Sequence, residues 1–345
     1  MIKIKKKSVV LLLVLLLAGI ALAITAWCYV FKSNTTLSSP SGNYYLHIPH
    51  GADYDDVIAL LEQEKLLKNK NSFSCIAHIK KYPEHIKPGR YLITPGMSNY
   101  YLINMLRSGS QEPVRVIFNN ANRMEDIARK ITPYFFFDSV MFMQTVTDEG
   151  FLDSMEVSSD MLIAWFLPNT YEFWWTDSPF EVVSRMKREY KKFWTPARRE
   201  QAASMGMTPE EVMVLASVVQ KETNHPEEMS RMAGVLVNRL AKGWKLQADP
   251  TVKYAWGDFS LTRILYRHLE HPSPYNTYAH HGLPPGPICA VEPYVVDKVL
   301  DYEQHEYMFY CAKPGINAMH AFAKTNAQHE QNSRIYQRWF RETQR

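Results

Sequence analysis

The stretch LASVVQKETNHPEE, residues 215–228, holds the residue whose type and position best suit chemistry. Just upstream, Thr208, Pro209 and Glu211 supply an N-cap, an N1 proline and an N3 acid, so a helix is predicted to start there. Val212, Leu215, Val219 and Glu222 follow at spacings of three, four and three, which places them on one stripe. Asn224 can take a left-handed conformation past the helix end, and Pro226 opposes continuation. Glu222 therefore projects from the last turn of a helix whose stripe is otherwise apolar. Desolvation favours the neutral acid. So does the negative end of the helix dipole. A glutamic acid kept protonated near neutral pH is what a general acid for glycosidic cleavage needs. Helix geometry alone equally allows a buried ion pair, for which Arg239 is the candidate partner.

Glycoside hydrolysis usually adds a second carboxylate as nucleophile or base. Asp249 in LQADPT is the best placed downstream acid; Glu270 and Glu292 are less suggestive. In SPYNTYAHHGLPPGPI, residues 273–288, Tyr275, Asn276 and Tyr278 could line a groove that stacks on and hydrogen-bonds sugars. Composition equally allows a structural Pro/Gly loop. The aromatic run WFLPNTYEFWW, 165–175, reads better as core packing. The chain contains no G-x-S-x-G elbow, Walker loop or H-E-x-x-H motif. His280 and His281 are adjacent, so in regular structure they face different ways and make poor joint metal ligands. No metal or cofactor is predicted.

These residues need elements to position them. A second helix is predicted from about Glu227 to Lys242, ending at Gly243. VRVIF, 114–118, opens a larger mixed α+β part that runs to residue 345, with helical segments near 124–131 and 179–193. The lysines and arginine at the end of the latter read as a solvated face that complements the helix dipole. Upstream, residues 43–110 form a small α+β unit in the order strand, helix, helix, strand, helix. YYLHI (44–48) and RYLI (90–93) are its strands, Asp53 and Ser98 are helix caps, and Gly109 is a helix stop. Residues 32–42 are rich in Ser, Thr, Pro and Gly and read as a linker. The length of 345 residues fits about two such domains.

The N-terminus adds a membrane segment. Lys3, Lys5, Lys6 and Lys7, within a basic tail 1–7, precede an uncharged run from Ser8 to Phe31. At about 1.5 Å per residue this run reaches about 36 Å, enough for a hydrocarbon core of about 30 Å. It is longer than a signal-peptide core and lacks a convincing cleavage site, so residues 8–31 are predicted to be a retained single-pass anchor. The lysines should stay cytoplasmic, leaving residues 32–345 outside. They match the formal +4 of the chain, so the exported part nets to zero and nucleic-acid binding has no support. Cys75, Cys289 and Cys311 follow the anchor; their odd number and wide spacing neither demand a disulfide nor resemble a zinc site.

Taken together, ASVVQKET, AGVLVNRLAKGWKLQADPTVKYAWG and SPYNTYAHHGLPPGPI closely resemble the endolytic murein transglycosylases of the MltG, or YceG-like, family. FLPNTYEF and HAFAKTNAQH (320–329) also resemble family segments. The resemblance covers most of the chain. It implies an anchor in the inner membrane, a LysM-like small domain (43–110) and a catalytic domain (114–345) on the periplasmic side. It further implies internal cleavage of peptidoglycan strands between N-acetylmuramic acid and N-acetylglucosamine, leaving a 1,6-anhydromuramic end. Such a reaction serves glycan strand termination during wall assembly. In the family motif Glu-Lys-Glu-Thr the second acid is catalytic; here Gln220-Lys221-Glu222-Thr223 keeps only that one. Asn169 stands where the family often has Asp. On this reading Glu222 is acid and then base, and Gln247, Asp249, Asn276 and Tyr278 contact the substrate. Wall synthases become plausible partners, although no residue identifies one. The alternative from another class is a non-catalytic glycan-binding scaffold of the wall machinery.

Overall fold

The computed structural model describes residues 6–37, 42–315 and 319–343, so the start of the lysine tail and part of the expected linker lie outside the described residues. The chain opens with α1 (Lys6–Phe31). Among the described residues, Val9–Phe31 is the one stretch long and apolar enough to cross a membrane, and none of it is buried inside protein.

Two units follow from how the chain contacts itself. The first gathers residues 1–115 with 134–136 and 172–177. Strand β1 (Tyr44–Ile48) precedes helices α2 (Tyr54–Gln63) and α3 (Lys70–Ile79), strand β2 (Gly89–Ile93) and helix α4 (Asn99–Ser108). This is the predicted order, and the caps are the predicted ones. Asp53 and Asp56 form a reciprocal capping box, Ser98 caps α4, and Gly109 ends it in the left-handed region at φ 77°. The strands pair antiparallel, with Leu46 opposite Tyr91. Their inward side chains pack on Val57, Leu61, Phe73, Leu102 and Leu106 to make one core. Residues 33–36 are held more firmly than a linker. Ser33 and Thr35 bridge to Ser98 and Leu67, and the buried Asn34 amide donates to Asn99 Oδ1 at 2.7 Å. Buried amides need partners, and these tie the end of α1 to the strands and helices that follow.

The second unit holds residues 116–133, 137–171 and 178–345. Strand β3 (Val114–Phe118) pairs with β4 (Asn169–Phe173). Between them lie α5 (Met124–Ile131), α6 (Ser139–Thr147) and α7 (Glu149–Met155), and after β4 come α8 (Pro179–Phe193) and α9 (Pro196–Ser204). Trp165, Phe166, Leu167, Tyr171 and Phe173 are buried, the core role read from their composition. Next come α10 (Pro209–Glu222), α11 (Pro226–Ala241), α12 (Asp249–Trp256), α13 (Tyr266–Leu269) and α14 (Pro293–Leu300). A hairpin of β5 (Phe309–Ala312) and β6 (His320–Ala323), antiparallel with Cys311 opposite Ala321, leads into the long α15 (Asn326–Thr343).

Helix α10 starts as predicted, with the Thr208–Glu211 capping box and Pro209 in its first turn. Sequence periodicity marks a single apolar stripe, yet every residue from Val212 to Val219 is buried. The reason is that α9, α11, α12 and α14 all pack on it. A helix covered on every face needs no polar side. Its end also differs from expectation. Thr223, not a left-handed Asn224, stops the helix by turning extended at φ −138° and ψ 139°. The Thr223 hydroxyl then accepts the His225 N–H at 3.1 Å, and Pro226 starts α11.

Candidate active site

Glu222 is the last residue of α10, and its side chain faces a cavity of 490 Å³. Gln247, Asp249, Tyr278, Arg239 and Tyr310 share that wall. Protein surrounds the carboxyl group except toward the cavity, where the residue keeps partial exposure. The Tyr310 hydroxyl sits beside the carboxylate, while Oε1 is buried without a hydrogen-bond partner. Burial pushes the Glu222 carboxyl up to about 7, and the negative charge of Asp249 adds to the rise. Tyr310, Arg239 and Lys253 pull the other way. The acid therefore keeps its proton into the neutral range, with one of its two oxygens unpartnered.

The candidate ion pair with Arg239 is absent. Arg239 is buried, but its guanidinium donates from Nε to the Met308 carbonyl at 2.8 Å and from a terminal nitrogen to the Leu246 carbonyl. It braces two chain segments, and Glu222 feels only its charge.

Asp249 stands across the cavity in an opposite setting. It is exposed, at the first position of α12, and accepts the Tyr278 hydroxyl at 2.6 Å. Burial and the neighbouring Asp249 push the Tyr278 phenol well above its usual range, so it stays a donor. The two loops that carry these residues are locked together underneath. The buried hydroxyls of Thr251 and Thr277 lie 2.8 Å apart, Ala248 N–H donates to Thr277 Oγ1 at 3.0 Å, and Gln247 N–H to the Thr277 carbonyl at 3.1 Å. Gln247 itself sits in the left-handed region at φ 48°, which turns the chain into α12.

One expected groove ligand is misplaced. Asn276 is 0% exposed and does not line the cavity. Its amide donates to the carbonyls of Leu269 and His271, both at 2.8 Å, and accepts the Tyr278 N–H at 3.0 Å. It is a loop brace that aims Tyr278. Tyr275 likewise turns away, donating its hydroxyl to Asp160 at 2.9 Å. Gly286 answers a close approach: a methyl there would overlap the Asp160 carbonyl. Glu270 and Glu292 are also off the cavity wall, so Asp249 is the acid that joins Glu222 there.

Gln220, the departure from the two-acid motif, has a structural reason. Its amide donates to the Ala290 carbonyl at 3.1 Å and accepts the Glu292 N–H at 2.7 Å. A carboxylate could only accept. Beside it, Cys289 is buried, and all four cysteines are free thiols.

Sequence reading missed Tyr310, His320 and Glu228. Glu228 is 3% exposed and accepts from the His320 backbone N–H at 2.8 Å, His320 Nδ1 at 3.0 Å and the Thr223 hydroxyl at 3.3 Å. It ties the end of α10 to β6. The available signal was FYCA and HAFA, two short apolar and aromatic segments on either side of Pro314-Gly315.

A mixed α+β chain with an apolar N-terminal helix and a cavity lined by a buried, raised acid and an exposed one is the class these features define. Comparison with known proteins narrows it. The YceG-like family model matches residues 46–335, and the chain belongs to that family. It is 24% identical over 306 residues to the endolytic murein transglycosylase of Bacillus subtilis, covering 84% of each chain. Against the protein of that name from Streptococcus pneumoniae serotype 2 it is 25% identical over 335 residues, spanning 88% of this chain and 60% of the relative. A crystal structure of a YceG-like protein from Listeria monocytogenes superposes with a TM-score of 0.56 at 26% identity, covering 84% of this chain and 98% of the other.

Proposed function

We propose that this protein cuts peptidoglycan glycan strands internally by lytic transglycosylation, with Glu222 as the acid/base. The observation that carries the proposal is the Glu222 carboxyl: raised to about 7, enclosed, with Oε1 left unpartnered, on a residue that lines a cavity. The family and the shared name of the relatives supply the substrate class. Protonated Glu222 gives its proton to the glycosidic oxygen as the C1–O4 bond breaks. Positive charge develops at C1 of the muramic ring, and Asp249 stabilises it. The C6 hydroxyl of the same ring then attacks C1 and returns its proton to the Glu222 carboxylate. No water is consumed, and a 1,6-anhydro ring closes. Tethering nucleophile and electrophile in one sugar supplies the proximity that a positioned water would otherwise need. Gln247 and Tyr278 hold the ring, and Asn276 acts through Tyr278.

The same reading assigns α1 as a single-pass anchor in the cytoplasmic membrane, with the residues that follow on the periplasmic side, as the N-terminal lysines favour. Residues 43–110 then form a LysM-like glycan-binding unit and 114–345 the YceG-like catalytic domain, and the anchor allows wall synthases as partners.

The test is product mass on purified strands. Wild type should release anhydromuramyl ends and Glu222→Gln about 10³-fold fewer; release by the variant at the wild-type rate would remove Glu222 from the role. A true hydrolase is the second reading, favoured by the exposed Asp249 carboxylate across the cavity. Its products would be one water heavier. Binding without any cleavage would instead mark a scaffold.

A further inference from the structure

Glu222 also lines a second cavity. It measures 660 Å³ and shares Glu222, Ala312 and His320 with the first. Both volumes lie in the range of about 300–1,000 Å³ that ligand sites occupy. Their linings differ in kind. The first is charged and polar around Asp249, Gln247 and Arg239. The second has an aromatic floor of Tyr336, Trp339 and Phe340, with Asn224, His225 and Lys313 at its edge.

The floor comes from α15. Positions 336, 339 and 340 are three and four apart, so they share one helix face. Tyr336 lies 5.8 Å from Trp339 and 6.1 Å from Phe340, ring centre to ring centre. None of the three is buried, and Phe340 is 46% exposed. An aromatic wall whose rings tilt by 30–37° to one another, with amide, imidazole and ammonium groups among the other lining residues, suits a ligand with one apolar face and a polar circumference. A pyranose ring with an acetamido group is such a ligand, and tethering the floor to the proton-donating residue puts it beside the scissile bond.

We propose that this second cavity is a saccharide subsite that holds the leaving-side N-acetylglucosamine, with the Trp339 ring as its platform. The assignment rests on the catalytic reading of Glu222. Direction follows from charge. The ring that becomes cationic at C1 belongs beside the Asp249 carboxylate, in the first cavity. The proton is delivered at the wall common to both cavities. The sugar that departs with O4 therefore lies in the second. Glu222 lines both cavities, so sugars on either side of the scissile bond can flank it, which is what cutting at internal positions requires.

The experiment uses the full chain in detergent, carrying Glu222→Gln so that bound strands stay intact. Affinity for peptide-free glycan strands is measured with and without Trp339→Ala. Strands of about four disaccharides should bind about tenfold more weakly to the Trp339→Ala protein, while a single N-acetylglucosaminyl-N-acetylmuramic acid disaccharide, which fills the first cavity alone, binds as before. Trp339→Phe should restore most of the long-strand affinity. Equal losses for both lengths, or no loss for either, overturn the subsite. Where Trp339→Ala does not fold, Phe340→Ala carries the same comparison. Loss of binding to phosphatidylglycerol vesicles with long-strand affinity intact would give the aromatic face to lipid and also overturn it. Failure of the catalytic reading looks different: anhydromuramyl release by Glu222→Gln at the wild-type rate on intact strands, whatever the length dependence of binding.

Discussion

Two carboxylates face one cavity from opposite kinds of helix end. Glu222 closes α10 at its C-terminus, enclosed by protein, with one oxygen unpartnered. Asp249 opens α12 at its N-terminus, in solvent, held by Tyr278 at 2.6 Å. A helix C-terminus disfavours a carboxylate and an N-terminus favours one. Burial pushes in the same sense on Glu222, raising its carboxyl to about 7. On the proposed reading the two similar side chains take different jobs, one giving and taking a proton and one stabilising positive charge, and the difference follows from where each helix ends.

The largest effect comes from breaking the first half of that contrast. Glu222→Gln keeps shape and removes the transferable proton, and general acid–base catalysis contributes about 10²–10⁴-fold. Release of anhydromuramyl ends should fall by about 10³-fold or more, with far-UV circular dichroism unchanged. Stability should respond too. The folded carboxyl is raised from 4.5 to about 7, so its contribution is fully present below pH 4.5 and declines as pH rises through 7. Thermal melts of the wild type should show this decline, and melts of Glu222→Gln should lack that component.

Asp249→Asn tests whether the two acids are coupled. It should lower activity by about 10²-fold through lost charge stabilisation. It also removes the second contribution to the Glu222 rise. The protonated acid would then persist over a narrower range, and the alkaline limb of kcat/KM should move to lower pH. An unmoved limb would show that burial alone sets the proton on Glu222.

How far this contrast was legible in the sequence differs between its halves. Glu222 sat in a strong local pattern, because Thr208, Pro209 and Glu211 fix where the helix starts and the apolar spacing fixes its phase. Asp249 was visible only as an acid downstream, since its place depends on the Thr251–Thr277 lock between two loops. Tyr310 and His320 were legible only as short hairpin strands, because they reach the site about ninety residues beyond α10, and no local propensity records that approach; Glu228 on α11 gains its place from the His320 N–H that it accepts across that hairpin. Asn276 misled for the opposite reason. A polar residue among tyrosines resembles a sugar ligand, yet its three hydrogen bonds all go to its own loop.

That misreading gives a stability prediction on the Asp249 side. Asn276→Ala leaves the Leu269 and His271 carbonyls and the Tyr278 N–H without their buried partner. Each buried group left unsatisfied costs about 1–3 kcal/mol. With part of that recovered by relaxation, the variant should lose about 3 kcal/mol in urea unfolding. Its KM should rise as Tyr278 loses its aim, while the pH limb set by Glu222 stays in place. A stable variant with an altered pH limb would instead put Asn276 at the chemistry.

The smallest effect sharpens the Glu222 side, by restoring the acid that the motif lacks. Gln220→Glu keeps the acceptor for the Glu292 N–H but removes the donor to the Ala290 carbonyl while the new carboxyl is ionised. The cost should be about 1 kcal/mol at neutral pH. It should shrink in acid, where the introduced carboxyl, once protonated, can donate to Ala290 again. The new charge lies two residues from Glu222 on a helix, and such positions do not face each other. The alkaline limb of activity should therefore shift upward only slightly, far less than Asp249→Asn shifts it down. A large shift would mean that the single acid of this motif had been set by removing a neighbour's charge. A small one means that Gln220 is there for its amide, bridging Ala290 and Glu292 beneath the site.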